Sequence, residues 1–341
     1  MKATINDVAK LSGVSIKTVS RVMNNEPSVR QLTREKVQAA VKELNYQPNL
    51  AARNLAGTKS FSIAYVYDNP NAYYIIDMQE GILSACRQQG FELLINPCDS
   101  QQENIAEDII NTIKHARVAG LVLTPPFSER PEFVKQITDL DIKVVRIMSG
   151  DVAPDELTPC VMVNDRDAAQ TITQHLIDLG HQKIGFIAGG AEHMSTIERY
   201  KGYRRALKAN DIAFNKNLVI EGEYSFESGV NGAKTLMAET VKQEDLPTAI
   251  FSCNDEIAAG ALFAARLMNI KIPEQLSIAG FENSPFSRQT WPKLTTANQP
   301  NKQIAQDAAS LLISQIRKIK GKAETSQYVP QLVVRDSTGQ I

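Results

Sequence analysis

The stretch Thr4-Ile5-Asn6-Asp7-Val8-Ala9-Lys10-Leu11-Ser12-Gly13-Val14-Ser15-Ile16-Lys17-Thr18-Val19-Ser20-Arg21-Val22-Met23-Asn24 reads as two short helices around a tight turn. Ile5, Val8 and Ala9, then Val19, Val22 and Met23, fall at helical spacing, and Gly13-Val14-Ser15 interrupts them. Each residue type has a mechanical reason. Ala9 is small enough for a crossing helix to approach, Gly13 can take positive φ in the turn, and Ser15 can cap the second helix. A third helix, expected after Thr33, carries Val37, Ala40, Val41 and Leu44 on one face and closes a small core. Such a helix-turn-helix lays its second helix in a DNA major groove, N-terminal residues toward the base edges. Here those are Ile16, Lys17 and Arg21; lysine and arginine pair with guanine O6/N7, and isoleucine meets a thymine methyl.

Working outward, the charge distribution supports this assignment. Residues 1–60 carry a balance of +6 and the remainder −7, although the whole 341-residue chain sums to −1. A basic head on an acidic body confines nucleic-acid contact to the head. Between them, residues 45–59 form a linker with one short helix written into it, which Asn49 can cap and Gly57 can end. Two turns without a core are marginal in water, so this helix is expected to form only when held. Leu55 stands in it beside basic residues, suited either to wedge between base steps from the minor groove or to pack on a neighbouring domain.

The ordered set Thr4-Ile5-Asn6-Asp7-Val8-Ala9, Gly13-Val14-Ser15, Thr18-Val19-Ser20-Arg21-Val22-Met23-Asn24, Asn45-Tyr46-Gln47-Pro48-Asn49 and Ala51-Ala52-Arg53-Asn54-Leu55 resembles the LacI/GalR family of bacterial transcription regulators, that of the lactose and purine repressors. Ser12 and Met23 depart mildly from its usual alanine and leucine. The resemblance implies DNA contacts by Thr4, Ser15, Ile16, Lys17, Thr18, Arg21, Asn24, Asn49, Ala52, Arg53 and Leu55, with the hinge helices of two subunits paired in the minor groove and Leu55 intercalating.

From Phe61 onward, short apolar runs (61–67, 91–95, 120–124, 143–148, then 183–188, 218–220, 248–252, 276–281) alternate with helical stretches (74–89, 102–115, 131–140, 166–179, 196–209, 226–241, 256–268). Buried strands alternating with helices predict doubly wound parallel sheets, and two series predict two lobes. Ligands of such sheets bind beyond the carboxyl ends of the strands. Reading off those ends gives residues 69–74, Thr124-Pro125, Ser149, Gly189 and Gly190 with Arg199 beyond, Asn254-Asp255, Glu282, and after the last crossover Trp291 and Gln299. Arginine, amides and carboxylates hydrogen-bond a polyhydroxylated ligand, and Tyr73 and Trp291 offer flat faces to its C–H surface. Asn254, ahead of Asp255-Glu256, equally fits a helix N-cap.

The resemblance continues through Val161-Met162-Val163-Asn164-Asp165, Leu179-Gly180-His181, Arg199-Tyr200-Lys201-Gly202-Tyr203, Asn254-Asp255, Gly280-Phe281-Glu282-Asn283 and Leu294-Thr295-Thr296, and implies a periplasmic-binding-protein-like effector domain. It makes Arg199, Asn254 and Glu282 effector contacts, with Tyr73 and Trp291 stacking; the family usually has aspartate where this chain has Glu282. Arg199→Ala is then expected to abolish the effector response and leave the fold intact.

The expected organisation is a helix-turn-helix head (1–46), a hinge (47–60) and an effector-binding and dimerisation domain (61–341), one lobe spanning about 61–163 and 293–326 and the other about 164–292 and 327–341. The expected fold is α/β in two parallel-sheet lobes behind the helical head. No apolar run nears twenty residues, the N-terminus shows no signal pattern, and the four cysteines fit neither a disulfide framework nor a zinc site, so a cytoplasmic chain without a membrane partner is expected. The four histidines lie apart, no nucleophile motif is visible, and Gly185–Gly190 lacks G-x-G-x-x-G, so neither enzyme nor cofactor is expected. What results is a homodimeric or larger repressor of carbohydrate-utilisation genes, binding a pseudo-palindromic duplex operator and controlled by a sugar-like effector. The alternative is a sugar-binding protein without regulatory role, which the basic head disfavours.

Overall fold

The computed structural model describes residues 3–23, 29–46, 60–150, 153, 155–238, 246–319 and 325–341. In the head, α1 (Ile5–Ser12), α2 (Ile16–Met23) and α3 (Gln31–Glu43) close around Val8, Ala9, Val19, Val22, Val37 and Ala40, the apolar positions their spacing marks. Gly13 ends α1 at φ 65°, where a side chain would be strained. The third helix begins at Gln31, ahead of the expected start after Thr33, because Arg30 enters it from extended backbone with no side-chain cap.

The first lobe runs β1 (Ser62–Tyr67), α4 (Ala72–Gln89), β2 (Glu92–Pro97), α5 (Ile105–Ala116), β3 (Gly120–Leu123), α6 (Pro131–Thr138), β4 (Lys143–Ser149) and β5 (Cys160–Val163). The second runs α7 (Asp165–Asp178), β6 (Ile184–Ile187), α8 (Met194–Ala209), β7 (Val219–Ile220), α9 (Phe226–Leu236), β8 (Ala249–Ser252), α10 (Asp255–Leu267), β9 (Ser277–Ala279) and the short α11 (Phe286–Gln289). The chain ends with β10 (Thr296–Asn298), α12 (Asn301–Ile316), β11 (Ser326–Tyr328) and β12 (Gln331–Val333). One sheet has the order β11-β5-β4-β3-β1-β2 and the other β7-β6-β8-β9, and every pairing within both is parallel. Both are therefore doubly wound, with helices covering their faces.

Close helix approach tightens the second lobe. A side chain at Gly229 would meet the Ile257 carbonyl at 2.0 Å, and one at Gly260 the Phe226 carbonyl at 2.0 Å, so α9 and α10 touch backbone to backbone.

Three segments join the lobes, and two fall elsewhere than expected. Leu294 and Ala297 lie in the second lobe's core, and Thr295 and Asn298 bridge to Ala279 and Glu282, so the chain leaves that lobe after residue 298 rather than entering the first at 293. All of β11, to Tyr328, pairs with β5 in the first sheet, so the last crossover follows residue 328 rather than 326. Backbone pairing fixes these borders, and the apolar runs carried no sign of it. Among the described residues no helix is long and apolar enough to cross a membrane.

Candidate functional site

In the head, Thr4 closes a capping box with Asp7: its backbone N–H donates to Asp7 Oδ2 at 2.8 Å, and Asp7 N–H donates to Thr4 Oγ1 at 3.4 Å. Hydrogen bonds from Thr4 hold the Asp7 carboxyl below the usual carboxylate range. Ser15 caps α2 through the Thr18 N–H at 3.2 Å, and its hydroxyl lies 2.9 Å from that of Thr18. With Val19 and Val22 turned into the core, the opposite side of α2 leaves Ile16, Lys17 and Arg21 exposed, Ile16 to 49%. An isoleucine half in water on a two-turn helix is an available apolar contact rather than part of the core. Asn24, Asn49, Ala52, Arg53 and Leu55, with the rest of the expected hinge helix, lie outside the described residues.

In the body, the carboxyl ends of both sheets and the crossovers converge on one cavity of about 540 Å³ including its mouth. Asn69, Asn71, Tyr74, Pro125, Ile147, Met148, Ser149 and Val163 line it from the first lobe, Asp165, His193, Ser195, Arg199, Tyr224 and Glu282 from the second, and Gln299 from a crossover.

Arg199, on α8, is its organising charge. Nε donates to Asp165 Oδ1 at 2.7 Å, Nη1 to the Cys253 carbonyl at 2.7 Å, and Nη2 to Gln299 Oε1 at 3.4 Å, while the guanidinium lies 3.8 Å from the Phe281 ring centroid. Only 3% of Arg199 is exposed. Burial alone, the largest single influence, would lower its pKa, but Asp165, Tyr224, Cys253 and Glu282 together outweigh it and the shift is upward, so the cation is retained. This geometry runs against the expectation that Arg199→Ala leaves the fold intact, since its removal would orphan a buried carboxylate and a carbonyl.

Glu282 follows β9 at φ 98°. Its Oε2 accepts from Asn71 Nδ2 at 2.7 Å, and its Oε1 lies 3.9 Å from Arg199 Nη1. Burial pushes its carboxyl up to about 8, partly offset by Arg199 and reinforced by Asp255. Glu129, from the first lobe, is raised to about 7 by burial and accepts from the Met194 N–H of the second at 3.3 Å. Tyr224 hydrogen-bonds Ser195 at 3.0 Å and Thr196 at 2.8 Å, with its ring edge-on to His193.

Of the residues expected in the cleft, Asn69, Asn71, Tyr74, Pro125, Ser149, Arg199, Glu282 and Gln299 line the cavity; Tyr73, Thr124, Asn254 and Trp291 are among those that do not. Tyr73 lies edge-on to Phe286, with centroids 5.5 Å apart, and Tyr74 lines the cavity, because successive helical residues point about 100° apart. Thr124 is fully buried, its hydroxyl donating to Tyr65 Oη. Asn254 is also fully buried and caps α10, accepting from the Ile257 N–H at 2.9 Å, the alternative its sequence left open. Trp291 is 75% exposed and sits beside Leu262, Ile270 and Pro273 on another face, because α11 carries the chain away from the strand end before Trp291 is reached.

The residues missed are Ile147, Met148, Val163, Asp165, His193, Ser195 and Tyr224. Tyr224 follows the carboxyl end of β7, so its place beyond a strand end was legible in the sequence. Asp165 stands at a crossover, and His193 and Ser195 belong to the turn into α8, positions no strand run marks.

Residues 4–49 match the lacI family of bacterial regulatory proteins, and residues 173–338 a periplasmic binding protein-like domain. The HTH-type transcriptional repressor PurR of Vibrio vulnificus (strain CMCP6) is 30% identical over 339 residues, covering 99% of each chain. That of Haemophilus influenzae (strain PittEE) is 31% identical over 344 residues, again 99% of each. Among solved structures, the lac repressor dimer bound to operator and the anti-inducer ONPF superposes with a TM-score of 0.75 at 26% identity, over 99% of this chain and all of that one. The complex of the transcriptional regulator CelR with cellobiose gives 0.73 at 26%, over 98% of this chain and all of that one. The chain belongs to the lacI family of bacterial regulatory proteins: it is a DNA-binding transcriptional repressor, not an enzyme, with a helix-turn-helix head and a periplasmic-binding-protein-like effector domain.

Proposed function

We propose that this repressor holds a pseudo-palindromic operator as a homodimer, one head per half-site, and that its affinity for that operator is set by a small uncharged carbohydrate seated between the lobes. The observation that carries the ligand class is the lining of the cavity. It combines hydroxyls, amides and carboxyls with one arginine, and that arginine already faces Asp165 at 2.7 Å. Nothing on the described lining offers surplus positive charge to a phosphate, while hydroxyl and amide groups suit a polyol, which both donates and accepts. The solved CelR relative is a cellobiose complex, consistent with a saccharide in a cleft of this kind.

Ser149, Arg199, Glu282 and Gln299 then contact the effector, and Tyr74 and Tyr224 give its ring an apolar face. On the DNA side, Ile16, Lys17 and Arg21 read bases, Thr4, Ser15 and Thr18 meet phosphates, and the hinge residues Asn49, Ala52, Arg53 and Leu55, with Asn24, complete the contact as the family resemblance implies. The two sites are linked thermodynamically: an effector preferring one lobe arrangement changes operator affinity by the same factor by which operator changes effector affinity.

A thermal-shift screen of the full chain against neutral mono- and disaccharides, sugar phosphates and nucleobases tests the ligand class, because a cleft ligand raises Tm. A neutral sugar should stabilise and its phosphate should not. Stabilisation by a phosphosugar or a nucleobase alone would overturn the carbohydrate reading while leaving the repressor intact.

A further inference from the structure

Among the described residues, carboxyls make three of the side-chain contacts that cross the cleft directly. Asn71, which caps α4 of the first lobe, donates to Glu282 of the second at 2.7 Å. Ser149, ending β4, donates to Asp165 at 2.5 Å, and Glu129 accepts from the N–H of Met194 at 3.3 Å. Tyr73 of the first lobe rests on Phe286 of the second.

The Glu282 contact is built in a way the others are not. Its backbone sits at φ 98°, a region unfavourable to any side chain, and is pinned there by the second lobe and the crossover that leaves it: the Glu282 N–H donates to the Ala297 carbonyl at 2.9 Å, and its carbonyl accepts from the Gln299 N–H at 3.4 Å. Non-glycine strain of this kind persists only where surrounding structure enforces it. Here it aims a long acidic side chain across the gap at a donor whose other amide atom is already fixed, since Asn71 Oδ1 accepts from the Tyr74 N–H at 3.1 Å. Both ends of the contact are thus preset, one by a helix cap and the other by a strained turn.

We propose that Glu282 and Asn71 form an internal latch that holds the lobes together, and that the effector enters by inserting its hydroxyls between them, so that this pair is a specificity element of the site. The entry step rests on the proposed function; the latch does not. A ligand able to replace both ends must accept from the Asn71 amide and bond the Glu282 carboxyl at once, which a vicinal diol does. The carboxyl that bridges the lobes when closed is the one the ligand bonds when seated, so effector binding is an exchange of partners.

Protonation follows from the geometry. Burial raises the Glu282 carboxyl to about 8; Arg199 from α8 faces it and favours its charge, the Asn71 amide from α4 does the same, and Asp255 at the start of α10 and Asp165 at the start of α7 oppose it. A closed arrangement in which this acid keeps a proton that an open, hydrated one releases is favoured at low pH and loses ground as pH rises from about 5 to about 8. The ratio of closed to open falls by up to tenfold per pH unit for each such carboxyl. Glu129, raised to about 7 and also bridging, acts in the same direction, with Asp165 its charged neighbour.

Spin labels at Glu103→Cys on the first lobe and Lys208→Cys on the second, in a Cys98→Ser background of the full chain without added sugar, report the lobe separation by pulsed electron resonance. Asn71→Ser keeps the helix cap but is too short to reach Glu282, and Glu282→Asp shortens the other end; each should lower the short-distance population about fivefold, the loss of one net hydrogen bond. Glu282→Gln still accepts from Asn71 and carries no charge, so it should raise that population near neutral pH and show a shallower pH dependence than wild type. The latch is overturned if Asn71→Ser and Glu282→Asp leave the distances unchanged, or if Glu282→Gln spreads them as much as Glu282→Asp. A failed sugar screen with responsive labels would reject the carbohydrate and keep the latch; a bound sugar with unresponsive labels would do the reverse.

Discussion

Lys17, on the outward side of α2, and Arg199, on α8, are both cations of a candidate binding site, and the molecule treats them in opposite ways. Lys17 stands exposed beside an isoleucine that is 49% exposed. Arg199 is 3% exposed, with donors committed to Asp165, the Cys253 carbonyl and Gln299. A surface that reads a polymer can wait in water, since DNA brings its own charge and displaces counterions on arrival. A cleft whose polar groups are largely withdrawn from bulk solvent must satisfy them internally, so they bond one another first. Binding at the head therefore adds contacts, whereas binding in the cleft exchanges them, and mutations should separate the two.

Arg199→Ala gives the largest effect. Deleting one member of a buried, hydrogen-bonded pair leaves Asp165 without its 2.7 Å partner, and breaking such pairs typically costs about 3–5 kcal/mol. Urea denaturation should show that loss without any ligand present. A midpoint matching wild type would mean the cleft tolerates an unpaired Asp165 and would erase the contrast with the head.

At the head, Arg21→Ala should leave the denaturation midpoint nearly unchanged, as an exposed position does, and cost about 1–3 kcal/mol of operator affinity concentrated at one base position. Competition binding against single-base operator variants reads this. A uniform loss across all variants, together with a shallower salt slope, would assign Arg21 to phosphate, which positions the protein without specifying sequence.

The same contrast explains what the sequence disclosed. The head is a local device: Thr4, Gly13, Ser15 and six apolar positions at helical spacing determine three helices, and each does in the structure what its chemistry suggests. The alternation of the two sheets was legible for a related reason, since buried parallel strands are short apolar runs. The borders of the closing segment were not. Asn301–Ile316 does pack in the first lobe, where the segment from about residue 293 was expected, but no local signal marks where that segment crosses over, and β10 and β12 are three residues each, held by pairing with one another. In the cleft, the strand-end rule found Ser149 and Glu282 because it concerns topology. It misassigned Tyr73 and Asn254 because rotation about a helix and capping decide those side chains, and neither is visible in a strand run.

Trp291 supplies the smallest expected effect and the sharpest test of that boundary. It is the chain's only tryptophan, so intrinsic emission reports on this residue alone. With 75% of its surface in water and Leu262, Ile270 and Pro273 as neighbours, it should emit as a hydrated indole and be quenched readily by iodide. A sugar that raises Tm should shift that emission little, because nothing in the cavity touches the ring, and Trp291→Ala should leave sugar affinity within about twofold, the scale of an exposed substitution. The sequence alone suggested a stacking platform, which would have produced a large blue shift and protection from iodide on binding. Should saturating sugar produce both, the loop after α11 must fold inward over the cleft, and the cavity described here would be only part of the effector site.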